Sequence, residues 1–214
     1  MKINIFDMEV YTKLNFYHAV WIFTIGSYIG YCIETFYVSF TAGHFVNRAG
    51  VLYGPFSQIY GVALLLCVIF LYQYRDRSIP FLFFISAFIG SIFEYTTSIF
   101  MEEVFRVVSW NYSSIPFNLN GRINLEFSLA WGILGMVFIK YVYDWICMKI
   151  DLMPRKWYKI LTWIFAVFMA FNITISMAAE YRQSQRHYGI KATNEFEEFL
   201  DEHYPNKFNL KYLN

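Results

Sequence analysis

The sequence predicts an all-α integral membrane protein of about five transmembrane helices, with a parallel two-helix internal repeat plus one extra helix. Its residues are 57% hydrophobic and 22% aromatic but only 15% charged, and the apolar residues come in long blocks. Crossing a hydrocarbon core of about 30 Å takes roughly 20 apolar residues of helix. The blocks are continuous and do not alternate in polarity, so they predict helices rather than the strands of a β-barrel.

Five blocks have about the length of a membrane span. They cover residues 17–40, 55–73, 80–101, 124–147 and 157–180. We therefore expect one transmembrane domain over residues 1–180, followed by a polar tail over 181–214. The tail stretch "NEFEEFLDEHYPNKF" (194–208) mixes acids with apolar residues at helical spacing. It predicts a short amphipathic helix that lies on the protein or at the membrane interface.

The basic residues are divided unequally between the two sides of this arrangement. The side of the N-terminus and the short connections carries Lys2, Lys13, Arg75, Arg77, Lys149, Arg155, Lys156 and Lys159. The opposite loops carry Arg48, Arg106 and Arg122. The positive-inside rule then predicts a multi-pass protein of the cell membrane with a cytoplasmic N-terminus and an external C-terminal tail. Three basic residues of the tail run against this bias.

The order of features in 17–73 recurs in 80–147, with 157–180 as an unpaired fifth helix. In the first unit Gly26, Gly30 and Glu34 follow one another every four residues, and in the second Ser86, Gly90 and Glu94 do so. A polar loop and a helix follow in each unit, and these helices contain Ser57-x-x-Tyr60-Gly61 and Ser128-x-x-Trp131-Gly132. Two spans per unit give both copies the same orientation, related by an axis along the membrane normal. Glu34 and Glu94 should then lie at similar depth, about 10 Å below the outer surface.

A carboxylate in lipid is costly, by about 2.5 kcal/mol or more. Glu34 and Glu94 must therefore be protonated, paired with a cation or turned to water. The small residues before each Glu allow close helix approach, so we expect the first and third helices to pack along this face. The natural partners are Arg48 and Arg122, one in the loop after each Glu. Either these pairs only pin the loops to the helices, or they line an outward-facing cavity for a cation, a proton or a polar head group.

The two loops "HFVNRAGVLYGPFSQIYG" (44–61) and "VSWNYSSIPFNLNGRI" (108–123) are rich in Gly, Pro, Asn and aromatic residues. This composition is typical of folded interfacial or re-entrant segments. Their aromatic side chains form either a belt at head-group level or a lid over a substrate. The candidate substrate or ion site comprises Glu34, Glu94, Arg48, Arg122, Asn47, Trp110, Tyr112, Asn118 and Asn120. Asn172, in the fifth helix, is interpreted as a hydrogen-bonding residue between helices.

Several familiar motifs are absent from the sequence. It contains no phosphate-binding Gly-x-x-x-x-Gly-Lys-Ser/Thr, no His-Glu-x-x-His, no Gly-x-Ser-x-Gly and no Cys-x-x-Cys. We therefore assign no catalytic, cofactor-binding or metal-ligating residues, and we expect no nucleic-acid partner.

The loops carry a resemblance to a known family. The motifs are "GYCIE" (30–34), "NR" (47–48), "LYGP" (52–55), "IYG" (59–61), Glu94-Tyr95, "W-x-YS" (110–113), "FNLNGRI" (117–123) and the later "YPN" (204–206). In these the chain resembles the CmpB-like permeases of the ABC-transporter type IV family, over roughly residues 25–140. It departs from the family's pattern at Asn111, at Gln58 and at Ala49, where the family has Asp, Pro and no intervening residue. The resemblance implies a bacterial membrane protein of permease type.

The favoured function is permease-like transport of a small polar solute, ion or lipid head group through the polar cavity. Two alternatives remain open. One is an intramembrane enzyme for a lipid-linked substrate, with a Glu as base and Arg48 or Arg122 holding phosphate. The other is a non-catalytic membrane partner or regulatory subunit. We expect the partners to be the lipid bilayer and either a second copy in a homodimer or another membrane subunit.

Overall fold

The structure is a computed structural model and describes residues 14–206 and residue 208. Lys2 and Lys13, on which the predicted orientation partly depends, lie outside these residues. The helices in chain order are α1 (Phe16–Ala42), α2 (Gln58–Leu71), α3 (Ile79–Phe100), α4 (Leu125–Val137), α5 (Tyr143–Asp151), α6 (Arg155–His187) and α7 (Glu195–His203). The described part of the chain is thus almost entirely helical.

Short segments extend or join these helices. A 3-10 turn at Tyr72–Tyr74 extends α2, and a π-helical turn at Met101–Phe105 extends α3. Another π-helical turn, Phe138–Val142, joins α4 and α5 into one rod. The strands β1 (Asn118–Leu119) and β2 (Ile123–Asn124) pair antiparallel in the loop before α4.

The helices, taken with their extensions, agree with the predicted spans. Within the described residues, the helices long and apolar enough to cross a membrane are Phe16–Ala42, Ile79–Phe105, Leu125–Asp151 and Arg155–His187. The second predicted span is a shorter apolar helix, Gln58–Tyr74, which reaches only about 25 Å at 1.5 Å per residue. The all-α membrane fold is confirmed, and the predicted number of five spans is approximate because α2 falls short of full length.

Residues at the helix ends explain where the rods begin and end. Asn15 precedes α1 and its side chain accepts a hydrogen bond from the His18 backbone N–H at 3.0 Å. Gly43, at φ 73°, ends α1 in the left-handed conformation that glycine tolerates. Asn124 precedes α4 and accepts from the Phe127 N–H at 2.8 Å. We call the end of the bundle that carries loops 43–57 and 106–124 the loop end.

The helices pack in two pairs, α1 with α2 and α3 with α4, and glycines make the contacts close. A Cβ on Gly30 would lie 2.1 Å from Cγ of Tyr60, and one on Gly90 would lie 2.5 Å from Cβ of Trp131. One on Gly61 would lie 2.4 Å from the hydroxyl of Ser27. The small-residue faces therefore pack against α2 and α4, and the predicted packing of the first helix on the third along this face is wrong.

The end of the bundle opposite the loop end holds the largest apolar cluster. Its buried residues come from α1, from α2 and its extension, and from the π-helical turn and α5, and they are Ile22, Val68, Leu71, Tyr72, Phe138, Ile139, Tyr143, Ile146, Cys147 and Ile150. The long helix α6 joins α1 on this side, where Trp21 donates a hydrogen bond to the Thr162 hydroxyl at 2.9 Å. This apolar core holds the helices together at the end of the bundle that lies opposite the loop end.

The helix α7 lies within the stretch 194–208, where the sequence predicts a short amphipathic helix. Its Leu200 is 2% exposed and packs with Ile175 and Ala179 of α6. Its first turn is acidic, and the Asn194 side chain caps it by accepting from the Glu197 N–H at 2.9 Å. The helix therefore lies on the protein, beside the loop end of α6.

Candidate functional site

The first loop folds back along α1 and brings Arg48 to Glu34. After Gly43 the chain returns beside the last turns of α1, where the Arg48 backbone N–H donates to the Thr35 hydroxyl at 3.3 Å. The Arg48 guanidinium donates to Glu34 Oε1 from Nε at 2.9 Å and from Nη2 at 2.7 Å. Both side chains are partly exposed. The predicted contact between Arg48 and Glu34 is thus present.

The next stretch of this loop is fastened to α6. Asn172, fully buried, accepts from the Tyr53 backbone N–H at 3.1 Å and donates to the Tyr53 carbonyl at 2.7 Å. Ser176, one turn further along α6, accepts from the Leu52 N–H at 2.8 Å. Asn172 therefore binds a loop rather than bridging two helices. Its side chain provides the hydrogen-bond partners that the loop backbone needs in a low-polarity environment.

Glu94 of α3 lies among neutral donors. Its Oε1 accepts from the Tyr112 hydroxyl at 2.9 Å, and its Oε2 accepts from the Trp131 indole N–H at 3.0 Å. The residue is only 7% exposed. Across residues 14–206 and 208, no lysine or arginine forms an ion pair with it. A buried carboxylate without a cation is costly in a membrane.

Arg122 pairs with Glu102, so its predicted contact with Glu94 is wrong. Glu102 lies eight residues beyond Glu94, which is about 12 Å along the helix toward the loop end. The Arg122 Nη2 donates to the Glu102 carboxylate, and its guanidinium lies 5.7 Å from the centre of the Tyr95 ring. The second loop is longer than the first and folds on itself above α3, so Arg122 stays at the helix end while Tyr112 reaches Glu94.

Most polar residues predicted in the second loop hold its own backbone. Trp110 donates to the Arg122 carbonyl at 2.8 Å. Asn118 donates to the Ile115 carbonyl at 2.7 Å and accepts from the Gly121 N–H at 3.0 Å. Asn120, at φ 53°, donates to the Tyr95 hydroxyl at 2.9 Å. These contacts make the loop a defined structure that can position Tyr112.

Asn47 has a similar local role in the first loop. Its side-chain oxygen accepts from the Ala49 backbone N–H at 3.0 Å, which is an Asx turn, and the residue is exposed. It makes no contact with either Glu. Its membership of the site stays a prediction.

Tyr60 and Trp131 are the site residues that sequence reasoning did not select. Their ring centres lie 5.7 Å apart, between the two helix pairs. Trp131 bonds to Glu94, and Tyr60 lies within electrostatic reach of Glu34, Glu94 and Arg48. A signal was present, since each aromatic residue directly precedes a glycine that packs on the preceding helix. In the predicted repeat these two residues are equivalent.

The site thus has two halves. One half is the partly exposed Arg48–Glu34 ion pair, and the other is the buried Glu94, whose hydrogen-bond donors Tyr112 and Trp131 are neutral. Among the residues that the structure describes, no three acidic, histidine or cysteine side chains converge as metal ligands would.

Comparison with known protein families gives a match over most of the chain. The family described as "Putative ABC-transporter type IV" matches residues 21–177. The chain belongs to this family. Every residue of the Glu34 and Glu94 clusters lies inside the matched region of this ABC-transporter type IV protein, whereas α7 lies beyond it. No curated protein and no solved structure matches the chain.

Proposed function

We propose that this protein is a permease-like transport component whose substrate binds between Glu34 and Glu94 near the loop end. The substrate class is a small polar solute, an ion or a lipid head group. Membership of the ABC-transporter type IV family supports a role in transport. The positions of Glu34 and Glu94 support this location for the substrate site, since ionisable side chains inside a membrane protein usually mark a pathway or a binding site.

The observation that carries this proposal is that Glu94 is buried with no ion-pair partner among the residues that the structure describes. The second loop contains an arginine, but Arg122 binds Glu102 instead. A purely structural carboxylate would be expected to take the nearest guanidinium, because leaving a buried charge unpaired costs several kcal/mol, about 3–5 by analogy with broken pairs. Within the described part of the chain, the hydrogen bonds to the Glu94 side chain come from Tyr112 and Trp131. We take this as a carboxylate kept for a group that arrives from outside the chain.

The orientation of the site belongs to the same proposal. Arg75, Arg77, Lys149 and Arg155 lie at the end of the bundle opposite the loop end. The positive-inside rule then places the loop end, with both Glu residues and α7, on the external side. Because a bundle with so few spanning helices offers little interior of its own for a pathway, we further propose that the protein works as a homodimer or with a second membrane subunit.

The experiment compares purified wild type with Glu94→Gln and Glu34→Gln. The matched control is Glu126→Gln, which changes an exposed carboxylate in the first turn of α4. Native mass spectrometry of detergent-solubilised protein measures the retained molecule, and thermal shift with a panel of polar solutes measures binding. We expect both site variants to lose the retained molecule or the shift, while the control keeps them. If both site variants fold and bind as wild type does, the proposal is wrong.

A further inference from the structure

Both carboxylate oxygens of Glu94 are already bonded within the protein. Oε1 accepts from the Tyr112 hydroxyl at 2.9 Å, and Oε2 accepts from the Trp131 indole N–H at 3.0 Å. The rings that carry these donors are packed in turn, Tyr112 on Phe127 with centres 4.9 Å apart and Trp131 on Tyr60 at 5.7 Å. A solute that binds Glu94 has to break one of these bonds and displace a packed ring. A proton needs neither change.

The two donors differ in what they can do when Glu94 gains a proton. The indole N–H of Trp131 can only donate, so Oε2 stays an acceptor. The Tyr112 hydroxyl can donate or accept. Oε1 can therefore take a proton and donate it to the Tyr112 oxygen while the same two heavy atoms stay in contact. The site holds the carboxylate and the neutral acid equally well in geometry, because only the direction of one hydrogen bond reverses.

The charges around Glu94 favour the neutral acid. Glu94 is buried, and no lysine or arginine among the described residues forms an ion pair with it. In the described part of the chain the titratable groups that face it are Tyr112 from the second loop and Tyr60 from α2, while α4 contributes an indole, which does not titrate. Glu34 and Arg48 lie within electrostatic reach of Tyr60, but they neutralise each other in their own ion pair. An ionised carboxylate in such a place is costly in a membrane.

We propose that the ion taken up by this site is a proton, and that Glu94 holds it as a carboxylic acid at neutral pH. This inference rests on the proposed function, because it names the ion for the same permease-like site. In the step, a hydronium ion and the Glu94 carboxylate become water and the carboxylic acid, and no other bond changes. The Tyr112 hydroxyl relays the proton, since its oxygen accepts one proton while its own hydrogen moves to Oε1. Glu34 is partly exposed and lies within electrostatic reach of Tyr112, so it marks the side from which the proton arrives.

Infrared spectroscopy detects this proton directly, because a carboxylic acid has a C=O stretching band that a carboxylate lacks. The full-length protein is measured at neutral pH in a maltoside detergent, which has no ester carbonyl of its own. A glutamate in water is ionised at this pH. We expect the wild type to show a carboxylic acid band that shifts in heavy water and that Glu94→Gln loses.

Two further variants assign the band to one residue. Glu126→Gln changes an exposed carboxylate in the first turn of α4 and should keep the whole band. Glu180 of α6 is another half-buried carboxyl group and can contribute to the same band. Glu180→Gln measures that share, so that the part lost in Glu94→Gln belongs to Glu94 alone.

The frequency of the band tests the geometry of the bonds. Trp131→Phe removes the donor at Oε2, the C=O oxygen of the acid, and should move the band to higher frequency, because a hydrogen bond lowers the stretching frequency of a carbonyl. Tyr112→Phe keeps the ring that stacks on Phe127 but removes the acceptor of the acid proton, so it should shift the band without abolishing it. A merely structural role for these side chains would change the Tm and leave the band in place. Both variants keep Glu94, so they test the proposal even where Glu94→Gln fails to fold.

Each outcome decides a separate point. A band at neutral pH that Glu94→Gln removes and Trp131→Phe shifts supports the proposal. A wild type without the band, or a band that ignores the changes at Glu94 and Trp131, overturns it. If the band is missing while Glu94→Gln loses the retained molecule, the proton assignment falls and the proposed function stands. If the band belongs to Glu94 while neither Glu94→Gln nor Glu34→Gln changes retention or thermal shift, the proposed function falls and the proton site stands.

Discussion

Arg182 of α6 and Asp201 of α7 form a two-bond ion pair. Arg182 Nε donates to Asp201 Oδ1 and Nη2 donates to Oδ2, both at 2.8 Å. Arg182 is 2% exposed, and Arg186 donates to the same carboxylate. The Tyr53 and Tyr204 hydroxyls also meet, which links the segment after α7 to the first loop. The tail helix is therefore held at the loop end by buried charge as well as by Leu200.

Loss of the Asp201 charge should destabilise the protein. Asp201→Asn leaves the buried Arg182 guanidinium without its anion, although Gln185 and the Ile190 carbonyl still accept from it. We expect a loss of about 2–3 kcal/mol in unfolding free energy, seen as a lower Tm in detergent. Glu202→Gln, an exposed change on the same helix, is the control. Equal Tm values for the two variants would show that the ion pair contributes nothing.

The contribution of this pair should depend on pH in a defined direction. Hydrogen bonds from Arg182, and then from Arg186, hold the pKa of Asp201 below its usual range. A lowered folded-state pKa stabilises the fold above the unfolded value of about 3.9, and this stabilisation disappears as the pH falls through the folded pKa. The Tm difference between wild type and Asp201→Asn should be constant from neutral pH down to mildly acidic pH and shrink below about pH 4. A difference that grows on acidification contradicts this assignment.

A methyl group at Gly90 should disturb both packing and the site. The added Cβ would lie 2.5 Å from Cβ of Trp131, so α4 or the indole has to shift. Overpacking of this kind costs about 1–3 kcal/mol, and it moves the donor of the Glu94 hydrogen bond. Gly90→Ala should therefore lower both Tm and the retention of bound molecule. Ile92→Ala, on an exposed face of the same helix, should leave retention unchanged.

Removal of the Asn172 side chain should release the first loop. Asn172→Ala removes the side chain that bonds both the Tyr53 N–H and the Tyr53 carbonyl, and each lost hydrogen bond costs about 0.5–1.5 kcal/mol. We expect a lower Tm and faster proteolysis within residues 50–56. Thr174→Ala is a suitable comparison, because its hydroxyl bonds only within α6. Unchanged proteolysis in Asn172→Ala would mean that other contacts hold the loop.

The apolar patterning made the fold predictable, because helix length and continuity alone require spans in a membrane. The contact between Arg48 and Glu34 could also be predicted from the sequence, since the first loop is short and must return along α1. The partner of Arg122 could not be predicted, because the second loop is long enough to fold on itself. Its pairing depends on backbone bends at Phe117, Asn120 and Gly121 that residue types alone do not specify.

The helix partners were harder to predict than the helices. The spacing of Gly30 and Gly90 predicts sites of close helix approach, and the structure has them, but spacing along one helix does not say which neighbour approaches. That depends on Tyr60 and Trp131, whose rings lie over the glycines. Sequence periodicity identifies the face of a helix, whereas shape complementarity between two sequences selects its neighbour.

The indole of Trp131 touches Glu94 on one side and Tyr60 on the other. Its fluorescence emission should therefore respond to the protonation or occupation of that carboxylate and to any sliding of one helix pair past the other. With the remaining tryptophans replaced by phenylalanine, a single optical probe built into the chain would record both events in real time. Spectroscopy without an attached dye could then test the proposed transport function in a bilayer.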